Sequence, residues 1–395
     1  MTPAARTQAA IELLDAIVVA AREGGAAADT LIARYFATRR YAGSKDRRAV
    51  RELVYAAIRA AGEPPRSGRS AMLLIADRDP AIAATFDGSV HGPQPITNNE
   101  PRANRGVVPQ WLGLQLVASG LTRNALPALV GRAPLDLRVN TLISSREDAL
   151  AALPDAQPTP LAPHGIRLPS GTNVEASPLF QGGAIEVQDE GSQIVGLAAP
   201  VALGMRVVDL CAGAGGKTLA LAAAMANKGR ILACDTDRGR LQRLPPRADR
   251  AGVNIVETRL LDPGEEAAAL ADWRGTADVV LVDAPCSGTG TWRRNPEARW
   301  RLNPQRLERL QATQAHILRL AVRLTKPGGS IVYIVCSLLD VEGADQVTTF
   351  LKQQRGWTAE PLDLPAGSPR GAGLRLDPAS HGTDGFFVAR LRAPC

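Results

Sequence analysis

Residues 206–218, Arg-Val-Val-Asp-Leu-Cys-Ala-Gly-Ala-Gly-Gly-Lys-Thr, constrain the fold more than any other stretch of the 395-residue chain. Val207 to Leu210 form a short apolar, β-branched run. The glycines after it permit a tight turn, and Leu219 to Met225 is rich in strong helix formers. Strand, glycine-rich turn and helix are contiguous. Such a unit is the ligand-binding end of an open α/β sheet, where a nucleotide sits beyond the carboxyl ends of the strands and against a helix N-terminus.

Two phosphate-binding readings fit this turn poorly. A P-loop ends like Gly216-Lys217-Thr218, but Cys211 stands where its first glycine is required. A dinucleotide fingerprint aligned on Gly213 and Gly215 finds Thr218 where a third glycine should allow close helix packing. A ligand with an adenosine and a carboxylate but no phosphate satisfies what remains. S-adenosylmethionine fits, with exposed backbone N–H groups of the turn available to its carboxylate, so Cys211, Ala212, Gly213, Ala214, Gly215, Gly216 and Lys217 are expected at the cofactor. The next apolar run, Gly229 to Asp235, ends in a carboxylate about twenty positions after the glycines, where it can accept from both ribose hydroxyls. Asp235 is the expected ribose ligand; the alternative makes it a turn residue before Thr236-Asp237. A third strand, Asn254 to Asp262, carries an acidic end that either meets the adenine amino group or caps the segment before Pro263.

The chain is long enough for two or three domains, and 45% hydrophobic residues is ordinary for a soluble globular protein. No apolar run approaches the ~20 residues of a membrane span. The segment Ala9 to Ala21 carries Glu12 and Asp15, which fits an amphipathic helix and not a signal peptide, so a cytoplasmic protein is expected. The five cysteines form no CxxC pair and only four histidines accompany them, so neither a zinc site nor a disulfide framework is indicated. The formal charge is +7, and only five of the 46 Lys and Arg residues are lysine. Arginine suits phosphate and base contacts, which weakly favours a nucleic-acid partner.

From Thr7 to about Arg59 apolar residues recur every three or four positions, and Arg39, Arg40, Lys45, Arg47, Arg48 and Arg51 make the segment basic. That is either a solvated helix face or an RNA-binding surface. Further helices are expected around Ala71 to Phe86 and from Pro109, giving a helical domain over residues 1–125. From Leu135 the pattern alternates like a strand. Ser144 to Leu150 opens a helix with a capping signature, and Gly165 to Leu168 and Gly183 to Gln188 read as short strands. Residues 126–195 are thus a small α+β module, in which Arg138 either touches nucleic acid or faces solvent. Residues 196–395 form the nucleotide-binding domain, where Pro245-Pro246 breaks a helix begun at Arg238.

Ala277 to Asp283 is a central strand followed by Ala-Pro-Cys286-Ser-Gly-Thr-Gly290. Ser330 to Val335, after a Lys326-Pro-Gly-Gly329 turn, is followed by Cys336-Ser337. Two thiols thus leave the strand edge where chemistry happens in such folds. The segment Trp292 to Arg301 combines cations with aromatics able to stack on an unpaired base. Gln305 to Leu324 is a long amphipathic helix in which His316 reads as structural.

The motifs Asp209 to Thr218, Asp283 to Gly290 and Cys336-Ser337 together resemble the Sun/Nop2 family of RNA cytosine-C5 methyltransferases. Gln188 to Gln193 and Asp384 to Val388 resemble further motifs of that family, and the likeness runs from about Leu135 to Leu391. The resemblance implies a Rossmann-like class I methyltransferase domain of the α/β class, an N-terminal all-helical, NusB-like domain and a small RRM-like module. Within the family the nearest branch is the one that methylates bacterial small-subunit ribosomal RNA. The resemblance further implies S-adenosylmethionine as cofactor, an unpaired cytosine in RNA as substrate (16S ribosomal RNA first, transfer RNA as the alternative), no metal, no membrane, and a monomer. By the same resemblance Cys336 is the nucleophile that adds to cytosine C6, Cys286 assists product release, and Asp283 hydrogen-bonds the cytosine edge and lies near the cofactor. A thiolate suits that task because it is strongly nucleophilic even when only a small fraction is ionised. The family commonly has Thr before the nucleophile and Glu-Asn downstream; this chain has Val335 and Glu342-Gly343. A non-catalytic RNA-binding or antitermination factor is the competing class, and retention of both thiols argues against it. A nicotinamide-dependent oxidoreductase is a distant third.

Overall fold

A computed structural model describes residues 1–395, which divide into two compact units: Met1–Arg132 with Thr291–Pro304, and Ala133–Gly290 with Gln305–Cys395. The second unit is built on a nine-stranded sheet. Its strands are β5 (Arg206–Asp209), β6 (Arg230–Asp235), β7 (Val256–Leu260), β8 (Ala277–Asp283), β9 (Thr325–Val335), β10 (Thr358–Glu360), β11 (Ser368–Arg370), β12 (Gly373–Leu376) and β13 (Phe386–Arg392). Its order is β11-β12-β13-β9-β8-β5-β6-β7, with β10 also pairing β13. The central five strands are parallel and β13 runs antiparallel to β9. Chain direction across the sheet reverses between β5 and β8, the place where such sheets open a crevice.

The central strands read as nearly unbroken apolar runs because both faces of the sheet are covered. Val207, Ile231, Ala233, Val279, Leu281, Val332 and Ile334 enter one core with Leu219 and Ala222 of the Gly216–Ala224 helix. The alternating residues Val208, Leu232, Val280, Val282, Ile331, Tyr333 and Val335 enter another with Leu318, Ala321 and Leu324 of the Pro304–Leu324 helix. Val335, the departure from the family pattern, is thus an apolar residue in an apolar core. The Lys326–Gly329 turn is absorbed into the start of β9, where the pairing with β8 shifts register between Ala277 and Val279. Pro245-Pro246 does not spoil a helix. The helix stops at Leu241, and a second, Leu244–Arg250, starts with the prolines in its first turn, where no N–H partner is needed.

Four short antiparallel strands, β1 (Leu135–Val139), β2 (Gln157–Pro158), β3 (Gly165–Leu168) and β4 (Ile185–Val187), form the small sheet in the order β2-β3-β1-β4. Arg138 of β1 neither faces solvent nor is open to nucleic acid: it is 6% exposed, and its Nε donates to Gln188 Oε1 at 2.7 Å. Glu186 of β4 pairs with Arg247 and Arg250 of the proline-started helix, and Arg247 also donates to the Ala214 carbonyl in the glycine turn. The small sheet and the turn are therefore tied through one helix.

The first unit is helical: Pro3–Glu23, Ala28–Ala37, Ser44–Ala60, Gly68–Ala76 and Gln110–Ala118, with short helical turns at Pro80–Ala83, Arg123–Val130 and Pro296–Arg301. The helix expected around Ala71 to Phe86 is divided, because Asp79 caps a new turn led by Pro80. The basic, aromatic segment Trp292 to Arg301 corrects the expectation of base stacking. Trp292 and Arg299 are fully buried, and Trp300 is 4% exposed inside the helical core. Arg299 donates to the carbonyls of Ile58 at 2.6 Å and Ala61 at 2.7 Å, at the end of the Ser44–Ala60 helix, and to that of Pro296. A cation supplies the missing partners of a helix C-terminus. Arg301 does likewise at the carbonyls of Gly25, 2.8 Å, and Ala26, 2.7 Å, just past the Pro3–Glu23 helix. Arg299→Ala should therefore destabilise the helical unit by about 3 kcal/mol, since buried carbonyls lose a charged donor. Urea unfolding followed by tryptophan fluorescence checks this, and a loss below about 0.5 kcal/mol would contradict the capping role.

Candidate active site

The turn after β5 holds its shape through backbone and side-chain contacts of its own. Gly215 has φ +86°, and a Cβ there would collide with Leu244, so glycine is required on both counts. Asp235, at the end of β6, is 6% exposed; its Oδ2 accepts from Gly213 N at 2.7 Å and its Oδ1 from Asp237 N at 2.8 Å. The N–H groups of Gly213 and Gly215 are thus used within the protein, the second on the Ala212 carbonyl. This corrects the expectation that they stand open to a ligand.

A cavity of about 890 Å³ lies beyond the strand ends of the second unit, lined by Cys211, Asp235, Asp283, Cys286 and Cys336, and across from them by Arg306, Thr313, His316 and Ile317. Five of the residues singled out in the sequence thus share one space. Ala212 to Lys217 are not in its lining, and Asp262 is exposed and outside it, although its neighbours Leu261 and Pro263 line it. His316 lies at the wall of the cavity, 3.5 Å from Glu266.

Lys217 turns to its neighbours. Its Nζ donates to Asp283 Oδ2 at 2.7 Å and to Ser192 Oγ at 3.2 Å. Burial works against its charge, but the Asp283 carboxylate outweighs burial and the lysine pKa is raised. Ser192 belongs to the Gln188–Gln193 motif, whose Asp189 caps the Glu190–Gly196 helix and accepts from Asp384 N at 3.3 Å. That motif and Asp384 to Val388 are structural neighbours. Gly290 N donates to the Cys336 carbonyl at 3.0 Å, and Gly385 N donates to the Gly290 carbonyl at 2.8 Å, a closeness at which a Cβ on Gly290 would strike Gly385.

The two thiols meet. Cys286 Sγ and Cys336 Sγ are 3.3 Å apart, within hydrogen-bonding range, and both are free cysteines. The contact with Cys336, then burial, push the Cys286 thiol well above its ordinary range. Burial and the surrounding carboxylates raise Cys211 as well, which leaves it inert.

Sequence reasoning missed the polar cluster beneath the thiols: Ser287, Thr289, Gln314, Ser337 and Glu342, all buried. The signal was present, since the dipeptide Cys-Ser follows both strands. Gly343, where the family commonly has Asn, packs against Phe387, and a Cβ there would lie 2.8 Å from the ring.

Against families of known proteins, residues 200–392 match the model described as 16S rRNA methyltransferase RsmB/F. This region belongs to that family. A "Probable ribosomal RNA small subunit methyltransferase B" of Synechocystis is 34% identical over 65% of this chain and 60% of its own length. The ribosomal RNA small subunit methyltransferase B of an Enterobacter is also 34% identical, over 72% of this chain and 66% of its own. The chain therefore matches somewhat under two thirds of the length of these relatives. A solved methyltransferase homologue from Pyrococcus horikoshii is 27% identical, with a TM-score of 0.60 over 72% of this chain and all of its own. The family and the sheet order together establish the Rossmann-like methyltransferase fold, with S-adenosylmethionine as the cofactor of the family. No helix is long and apolar enough to cross a membrane.

One buried carboxylate yields a pH prediction. Asp209, 1% exposed at the end of β5, accepts from the Thr218 hydroxyl at 2.7 Å. Burial pushes its pKa up to about 7, opposed by Thr218 and reinforced by the Asp283 charge. In the unfolded chain an aspartate titrates near 3.9. Between those values the folded state holds more protons, so this group makes stability fall as pH rises. Urea unfolding between pH 5 and 8 should show that slope in the wild type and its loss in Asp209→Asn; equal slopes would refute it.

Proposed function

We propose that this protein methylates C5 of an unpaired cytosine in RNA, 16S ribosomal RNA first, through a covalent bond between Cys336 and C6. The observation that carries the reading is the pair of thiols 3.3 Å apart in one cavity with Asp283, which is itself salt-bridged to Lys217. Cytosine C5 is a poor nucleophile until something adds to C6. In this reading the Cys336 sulfur adds there, forming the C6–S bond and pushing electron density toward N3 and C5. Asp283, oriented by Lys217, hydrogen-bonds the polar edge of the base in this reading, and a proton passed through its carboxyl to N3 neutralises the negative charge that develops there. At the end the C5 proton passes to a basic group at the site, its bonding pair re-forms the C5–C6 double bond, the C6–S pair returns to the Cys336 sulfur, and Cys286, beside that bond, assists the release.

S-adenosylmethionine supplies an electrophilic methyl group. The cavity volume suits a ligand of that size, and Asp235 and Asp283 suit a cationic sulfonium and ammonium. Asp235 is the proposed ribose ligand, its orientation fixed by its two backbone donors, with Cys211 and the turn from Ala212 to Lys217 beside the methionyl end. Asp262, exposed, remains a proposed adenine contact reached only when cofactor is bound. The helical domain, NusB-like in this reading and basic along Arg39 to Arg51, helps choose the RNA, and the RRM-like sheet of residues 126–195 supports the catalytic domain. The protein is proposed to act as a cytoplasmic monomer.

Two expectations follow. Isothermal calorimetry should show S-adenosylmethionine binding, weakened by ~1.5–3 kcal/mol in Asp235→Ala through the loss of charge-assisted hydrogen bonds; unchanged affinity would rule out the ribose assignment. On a denaturing gel, Cys286→Ala should accumulate a protein–RNA adduct that depends on S-adenosylmethionine, whereas Cys336→Ala and the double variant should form none. An active Cys336→Ala enzyme would defeat the thiol mechanism. Bisulfite sequencing of RNA from cells with and without the protein identifies the modified cytosine, and a methylated transfer RNA would reassign the substrate.

A further inference from the structure

Glu342 is fully buried, and its donors are neutral groups. Its Oε1 accepts from Ser287 N at 2.8 Å and from Gln314 Nε2 at 3.0 Å. Its Oε2 accepts from the hydroxyls of Ser337, at 2.6 Å, and of Ser287. Ser287 follows Cys286 and Ser337 follows Cys336, so one carboxylate grips the residue after each thiol. Gln314 extends the grip, donating also to the Pro285 carbonyl at 2.9 Å, on the other side of Cys286. The backbone of Glu342 is anchored as well. Tyr333 of β9 donates its hydroxyl to the Glu342 carbonyl at 2.6 Å. Thr289 adds a cross-link, accepting from Leu338 N at 2.8 Å beside a Ser337 hydroxyl 3.2 Å away.

A buried carboxylate is costly unless its lone pairs are met by donors. Here the donors come from the two loops that carry the thiols and from one helix, and a loop shift at either cysteine would break part of the cluster. We propose that Glu342 is a positioning residue: it clamps the Cys286 and Cys336 loops together and so sets the separation of the two sulfurs. The role rests on the reading of these cysteines as the reacting pair, but the clamp can be measured without methyl transfer. The readout is closure of a disulfide between them by diamide, an azo oxidant. Each thiol gives up one electron and one proton to the N=N group as the S–S bond forms, leaving the hydrazine.

In the full-length chain, peptide mapping should find the Cys286–Cys336 bond forming readily in the wild type, with a mass loss of about 2 Da from the two hydrogens given up in closing the disulfide. Glu342→Gln should close it about tenfold to a hundredfold more slowly. The same variant should lose about a hundredfold in kcat. Its S-adenosylmethionine affinity and its KM for RNA should stay within about twofold, because the change spares every group proposed to touch cofactor or base. If Glu342→Gln does not fold, the double variant Ser287→Ala with Ser337→Ala, which keeps the carboxylate and removes both hydroxyl donors, takes its place with the same expectations. An unchanged closure rate in whichever variant folds overturns the proposal whatever its activity, and failure of both to fold overturns it too, by making the cluster a folding element. A wild-type chain that methylates no RNA while Glu342→Gln still slows closure would remove the functional reading and leave the clamp standing.

Discussion

The parallel ladder between β8 and β9 is the constraint on which the rest of the site depends. It pairs Asp283 with Ile334 and continues one step further, with Ala284 N donating to the Ile334 carbonyl at 2.9 Å. Parallel neighbours lie ~4.8 Å apart with their carboxyl ends side by side. Two loops that start from adjacent strands at almost the same height have little room to diverge before Cys286 and Cys336 are reached. The 3.3 Å sulfur separation is the outcome of that geometry, trimmed by the polar cluster below. The apolar packing on both sheet faces fixes the ladder in turn.

Much of this was legible in the sequence for a physical reason. A parallel strand buried on both faces must be written as an apolar run, and Ala277 to Asp283 is such a run, observed with those bounds. The glycine turn was legible because the left-handed backbone at Gly215 has few substitutes. Composition misled where burial decides. Trp292, Arg299 and Trp300 look like a nucleic-acid surface because cations and aromatics serve there, yet the same groups suit a buried helix terminus, where a guanidinium meets carbonyls and an indole fills a core. Nothing local separates the two uses. Arg138 repeats the lesson, since a strand arginine can turn inward and donate to a glutamine fifty residues away.

The catalytic loops show a related limit. Cysteines and aspartates attract attention because their chemistry is reactive, whereas serines and a glutamate in loops read as solvated. Ser287, Ser337 and Glu342 are the opposite: side chains of ordinary surface type, buried because each satisfies another. Lys217 was assigned to the ligand by its place in the turn. It donates to Asp283 and Ser192, which makes it the link between the turn, the end of β8 and the motif at Gln188 to Gln193.

The excursion of the chain at Thr291–Pro304 has a consequence for how the protein is made. The helical unit is discontinuous: its core closes only when Trp300 and Arg299 arrive, and Arg299 lies 241 residues after the Ile58 carbonyl it caps. On a ribosome adding ~5–20 residues per second, the ends of the first helices wait roughly ten to fifty seconds for their partner. During that interval the strands β5 to β8 are synthesised. The helices of the first unit, although made before β5 to β8, therefore reach their final packing only after the Cys286 loop exists.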